Sequence, residues 1–227
     1  LDAVLDTVDL ADTVLHLHSW TKGLSASIVR TARARGVPVV TTLHDFLIVC
    51  PTGTLFDYQR SEACPLTPMT PACVARSCDA RSYGHKLWRV GRHFVQAHAG
   101  HLPGAGAHVI AISEASARRL RPLLPVDCRV HVVPNFSEMP LAPPADVAAN
   151  TEVVYVGRLS AEKGPLLLAE SLRRLESPGV FVGDGELADA VRAHAPDLQV
   201  TGWLSAEAVR GRLRHARMLV LPSLWFE

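Results

Sequence analysis

The sequence predicts an α/β protein made of two doubly wound, Rossmann-like domains with parallel sheets. Three observations carry this. Short apolar, β-branched runs of the kind that form buried strands alternate with helical segments along nearly the whole chain. The stretch SEMPLAPPADVAAN, with three prolines and no periodicity, interrupts that rhythm. The alternation then resumes, so two similar runs flank one linker.

In order, DTVLHLH reads as a strand and LSASIVRTARARG as a helix closed by Gly36. VPVVTTLHD is a buried-type strand. A long irregular stretch rich in Cys, Pro and Thr follows, from about Phe46 to Arg81. HKLWRVGRHFVQAHA has helical spacing, with Leu87, Val90, Phe94 and Val95 on one side. HVIAIS is a strand, Ser113 caps the helix EASARRLRPLL, and CRVHVVPN is a further strand. After the linker come the strand EVVYVG, the helix GPLLLAESLRRLE, the short strand and turn GVFVGDG, and the helix ELADAVRAHA. LQVTG is a strand, Ser205 caps AEAVRGRLRHA, and RMLVLPS is the last strand. The expected division is a first domain over 1–136, a linker over 137–150 and a partial second domain over 151–227.

The 227 residues are 48% hydrophobic and 20% charged, enough apolar material for a sizeable core and unlike a disordered chain. The formal net charge of +1 gives no global pull toward nucleic acid, so no nucleic-acid partner is expected. No apolar run approaches the ~20 residues of a membrane-spanning helix. Five cysteines, an odd number with four close together, read as a reduced, cytoplasmic chain and not as a disulfide scaffold.

Ligands of doubly wound sheets bind at the carboxyl ends of strands, so the residues that follow each strand are the candidates. In VGRLSAEKGP, Gly157 permits a tight turn, and Pro165 suits the first turn of a helix whose free N–H groups attract anions. Arg158 and Lys163 flank that turn, and the pair suits a diphosphate as well as it suits surface ion pairs. Gly183 and Gly185 bracket Asp184, where a backbone could approach a ligand or simply turn. Asn135 follows a strand near the linker, where it could meet ligand or cap the turn. His44 and Asp45 end another strand, as cleft residues or as a structural pair. His16 and His18 share one side of the first strand, one of them core-packed and His18 nearer the strand end. Ser223 and Glu227 follow the last strand, where a carboxylate could accept from sugar hydroxyls.

The order of these segments, TLHDF with CP, then VVPN, VGRLSAEKG, VGDGE, VTGWLS and LVLPSLWFE, resembles glycosyltransferase family 4 along nearly the whole chain. The resemblance implies the GT-B fold, two Rossmann-like domains facing a cleft. It also implies a retaining enzyme, of the hexosyltransferase type, that moves a sugar from a nucleotide diphosphate donor to a hydroxyl acceptor. That acceptor would be a glycan, a lipid-linked molecule or a small molecule, in glycan or glycolipid synthesis. On this resemblance Arg158 and Lys163 stabilise the leaving diphosphate, Glu227 binds the donor sugar and His44 faces it. Gly157, Asn135, Gly183, Asp184, Gly185, Gly202 and Ser223 would line the donor site, with His18 and Asp45 on the acceptor side. No cofactor beyond the nucleotide-sugar substrate is implied, since cations take the role of a metal ion.

Glu227 matches the first Glu of the family's E-x7-E motif, and Leu1 falls after the family's usual opening strand and Gly-rich loop. The sequence is therefore expected to be an internal fragment, with the second domain truncated and no activity alone. Phe136 and Glu186 stand where the family more often has Gly and Pro, and the connection from Leu175 to Val180 is short for the family. Alternatives are a GT-B epimerase or phosphorylase, or a zinc-binding interaction module on an α/β scaffold. For the last, Cys50, Cys64, Cys73 and Cys78 could hold a structural zinc, although no C-x2-C pair is present and reduced loop cysteines are the plainer reading. Some members of the family carry several cysteines after this segment. The helix around Trp88 carries Lys86, Arg89, Arg92 and His93 opposite its apolar side. That basic side reads either as solvated or as a peripheral contact with the inner membrane face.

Overall fold

The computed structural model describes residues 1–20, 23–104, 106–136 and 143–226. Helix α1 (Asp2–Leu5), strand β1 (Leu15–His18), helix α2 (Ser27–Ala34) and strand β2 (Val39–Leu43) open the chain. Then come β3 (Phe56–Asp57), β4 (Glu62–Ala63), α3 (Pro71–Ala75), α4 (Tyr83–His98), β5 (His108–Ala111), α5 (Glu114–Leu120) and β6 (Arg129–Val132). The remaining elements are β7 (Glu152–Val156), α6 (Pro165–Arg174), β8 (Gly179–Val182), α7 (Ala188–His194), β9 (Gln199–Gly202), α8 (Ala206–Arg214) and β10 (Ala216–Leu219). The chain divides into two compact units, Leu1–Ser137 with Phe226–Glu227, and Glu138–Trp225. The linker expected over 137–150 lies partly outside the described residues. Its described end is tied into the second unit, where Asn150 donates to the carbonyls of Arg214 and Ala216.

The first unit holds a parallel sheet of order β1-β2-β5-β6. The sequence explains its boundaries. Ser113 and Ser82 cap α5 and α4 by accepting from Ser116 and His85 N–H. The second unit is a parallel sheet of order β10-β7-β8-β9. Alternate residues of β7 and β8 feed two cores. Val153, Tyr155 and Phe181 pack against Leu168 and Leu172 of α6 and Val191 of α7. Val154, Val180 and Val182 pack with Val209 and Leu213 of α8 on the other face. Helices on both faces explain why these strands are apolar at nearly every position.

One expectation needs correction. The stretch from Phe46 to Arg81 is irregular apart from the β3–β4 hairpin and α3, and it buries Phe46, Ile48, Leu55, Phe56, Cys73 and Cys78. Helix α4 is turned the other way from its apparent amphipathicity. Leu87, Trp88, Phe94 and Val95 are exposed, whereas Lys86, His93 and Gln96 are buried. The reason lies in the irregular stretch, which packs on that side of α4 and whose carbonyls accept from its polar side chains. Lys86 Nζ donates to Cys73 O at 2.5 Å and Arg76 O at 2.9 Å. Arg89 donates to Thr52 O at 2.9 Å and pairs with the buried Asp79 carboxylate at 3.2 Å. Gln96 donates to the carbonyls of Leu47 and Leu102. The basic side of α4 is thus largely used inside the first unit, and only Arg92 of that set remains beside the exposed Trp88 ring. Burial, and after it the Arg92 charge, lowers the His93 pKa, against a backbone hydrogen bond with Leu47 that raises it.

Candidate functional site

Parallel pairing brings the carboxyl ends of β7, β8, β9 and β10 to one edge of the second unit. The loops that leave them are interlocked. Gly183 sits at φ 138°, and a Cβ there would come within 2.0 Å of Gly157 O. Its N–H donates to Gly202 O at 2.9 Å. Leu159 N–H donates to Asp184 O, and Leu187 N–H donates to Leu159 O, both at 2.9 Å. Glycine is required where two loops approach this closely, because any side chain would drive their backbones apart.

The β7 loop then makes a short 3-10 turn over Ala161–Lys163 and ends at Gly164, in the left-handed conformation at φ 66°. Gly164 is also the residue before Pro165, which opens α6 with no side-chain cap on the helix N-terminus. A Cβ on Gly164 would lie 2.3 Å from Pro222 O, and Leu224 N–H donates to Glu162 O at 2.8 Å. So the segment after β10 is seated directly on the AEKG turn, which brings Pro222 and Ser223 beside Lys163 and the start of α6.

Arg158 projects from this turn with 63% of its side chain exposed, and its guanidinium is 3.6 Å from Glu162 Oε1. Tyr155 OH donates to Arg158 O at 2.7 Å, which fixes the turn from the core side. Glu162 is buried; its Oε1 accepts from Ser160 Oγ–H at 2.8 Å. Its Oε2 is the buried side-chain polar atom left without a hydrogen-bond partner among the described residues. Lys163 is half-buried, with Nζ 5.4 Å from the centre of the Trp225 ring. Asp184 is exposed and accepts from Gly185 N–H through Oδ1. Two cations and an uncapped helix N-terminus thus lie on one glycine-tightened turn, groups of the kind that attract a polyanion. Composition and spacing did not single out Glu162, Ser160 or Pro222. A lone acid beside Lys163 looks like an ordinary helix-start charge, and only burial distinguishes it.

In the first unit, His18 Nδ1 and His44 Nε2 share a hydrogen bond of 3.0 Å at the ends of β1 and β2, so one ring donates and the other accepts. His16 is not core-packed: it is exposed, and its Nε2 bonds Thr42 Oγ1 at 2.8 Å, because β1 is an edge strand. Asp45 is half-buried and accepts from Leu47 N–H at 2.9 Å. Burial raises its pKa, opposed by that N–H and by the charges of His44 and Arg92. Asn135 is exposed beyond β6. Glu227 lies outside the described residues.

Cys50, Cys64, Cys73 and Cys78 line one small cavity in the first unit together with Lys86, and all are free thiols. Burial pushes the Cys64 and Cys78 thiols up. Among the described residues no group of three or more His, Cys, Asp or Glu side chains is placed to hold a metal ion. No described helix is long and apolar enough to cross a membrane.

Each unit is a parallel, Rossmann-like α/β sheet, and the second has glycine-tightened loops at its strand ends. Residues 9–137 match the sequence model of Glycosyltransferase Family 4, and residues 150–227 match that of Glycosyl transferases group 1. The chain belongs to glycosyltransferase family 4. No curated protein matches it. Among solved structures it is similar to the apo form of the lipopolysaccharide outer core galactosyltransferase WaaB, at 16% identity and a TM-score of 0.43. That match covers 86% of this chain and 46% of the other, so the chain spans less than half the length of that enzyme. It is also similar to Acinetobacter baumannii MurG, at 13% identity and a TM-score of 0.30, covering 91% of this chain and 69% of the other.

Proposed function

We propose that the protein is a retaining glycosyltransferase that uses a nucleotide-sugar donor and a hydroxyl acceptor. The observation that supports this best is the turn Gly157–Gly164. It holds an exposed arginine, a lysine and a helix N-terminus together through glycine contacts that allow no side chain. Departure of a nucleoside diphosphate places new negative charge on the bond-breaking oxygen. Arg158, Lys163 and the first N–H groups of α6 are the groups assigned to stabilise it. Glu162 positions Arg158 from below through its buried carboxylate. We assign a donor-sugar role to Glu227 and a sugar-facing role to His44 on the resemblance of their motifs to those of the family. The same-face course of the transfer is proposed on the same resemblance. His18 would hold the His44 ring through their shared hydrogen bond.

The test is a thermal-shift titration of the complete protein with UDP, GDP, ADP and their sugar conjugates. A ligand that binds only the native state raises the midpoint. One base family should raise it, and Arg158→Ala should lower affinity for that ligand roughly 10-fold or more, the loss of one charge-assisted pair. No shift from any nucleotide in a folded sample would overturn the assignment.

A further inference from the structure

Lys86 is the most deeply buried charged residue of the first unit, at 0% exposure, and its position is unusual for what surrounds it. Among the described residues its hydrogen-bond partners are two carbonyl oxygens and one sulfur, none of them a carboxylate. Cys73 O and Arg76 O hold Nζ at 2.5 and 2.9 Å, and Cys78 Sγ lies 3.3 Å away. Cys78 is itself 5% exposed. Nζ donates to all three, so nitrogen and sulfur stand in direct contact with no third side chain between them. The surrounding cavity, lined by Cys50, Cys64, Cys73 and Cys78, has a volume of about 10 Å³, room for a single water-sized molecule.

We propose that Lys86 and Cys78 are a redox modification site, which closes to a reversible N–O–S cross-link when the protein meets hydrogen peroxide. The first peroxide oxidises the Cys78 thiol to a sulfenic acid and leaves as water. A second oxygenates Nζ to a hydroxylamine and also leaves as water. The hydroxylamine oxygen then attacks the sulfenic sulfur, and a third water departs as the O–S bond forms. Sulfur and nitrogen each lose two electrons, which the two peroxides take up. The distance selects this product over a direct N–S bond. An inserted oxygen spans most of the present gap, whereas a sulfenamide would need both atoms to close to a single bond length while two carbonyls hold the amine back. The cross-link would add a covalent tie between the end of the cysteine-bearing stretch and α4, beside the Arg89–Asp79 ion pair.

The experiment is intact and peptide mass analysis of the purified protein, with and without hydrogen peroxide. The expected product gains about 14 Da, one oxygen added and two hydrogens lost. After trypsin, Ser77–Arg81 should appear joined to Ser82–Arg89, with cleavage after Lys86 blocked. Dithiothreitol should remove the link completely, and Cys78→Ser should abolish it. A loss of two mass units would mean a disulfide or an N–S bond and would overturn the proposal. So would one, two or three oxygens on Cys78 alone, or an unchanged mass. The wild-type reading decides the matter even if the variant folds poorly.

Discussion

At the scale of single residues, the site is held by glycines, and Gly164 is the one most open to test. It combines a left-handed backbone with a place where Cβ would meet Pro222 O, a backbone atom that cannot swing aside. Gly164→Ala should lower stability by about 2 kcal/mol or more, since the left-handed conformation alone costs about 1–2 kcal/mol in a residue with a Cβ. Urea unfolding measures this. The same change should weaken nucleoside diphosphate binding, because relieving the contact moves Lys163 and the start of α6. An unchanged midpoint would mean that the two segments are not packed as described. Much of this was legible: glycines after strands, Pro165 at a helix start and two flanking cations are read directly from residue types. The buried Glu162 was not, because burial of an acid two residues from a glycine depends on what the segment after β10 covers.

At the scale of elements, α4 shows where periodicity misleads. Its sequence gives an apolar stripe correctly, but a stripe does not say which side another segment covers. Here the irregular stretch from Phe46 to Arg81 covers the polar side, and its carbonyls accept from Lys86, Arg89 and Gln96. Satisfying buried carbonyls outweighs hiding Leu87 and Trp88, since an unmet buried polar group costs about 1–3 kcal/mol. The expectation for two substitutions is therefore reversed from that of a usual amphipathic helix. Trp88→Ala, at a side chain 61% exposed, should change stability by no more than about 0.5 kcal/mol. Arg89→Ala strips Thr52 O and the buried Asp79 carboxylate of a partner and should cost about 1–3 kcal/mol. Chemical denaturation of both variants checks the order. A larger cost at Trp88 would show that the apolar side is the covered one.

At the scale of the whole molecule, the α/β class and the two runs of alternation were legible from strand composition alone. Strands of the second unit that bury both faces cannot look like anything but continuous apolar runs. Sheet order was not legible, because each crossover could pass to either side of its strand. The separation into units gives a spatial prediction for ligand binding. In hydrogen exchange of the complete protein, a bound nucleoside diphosphate should slow amides at 157–165, 183–187 and 222–224 together. Those loops share hydrogen bonds and should tighten as one. The stretch around Lys86 should be unaffected by direct contact. Protection confined to the first unit would move the polyanion site elsewhere.

Strand β10 has a consequence of its own. Among the described residues it lies at one margin of its sheet, with a register break between Ala216 and Met218, and Met218 and Leu219 are both exposed. The segment before β7 straps that margin: Asn150 donates to Ala216 O, and Arg217 donates to Val147 O. Arg217→Ala loosens the strap and removes a charge beside two greasy side chains, so concentrated solutions of that variant should turn cloudy sooner than those of the parent.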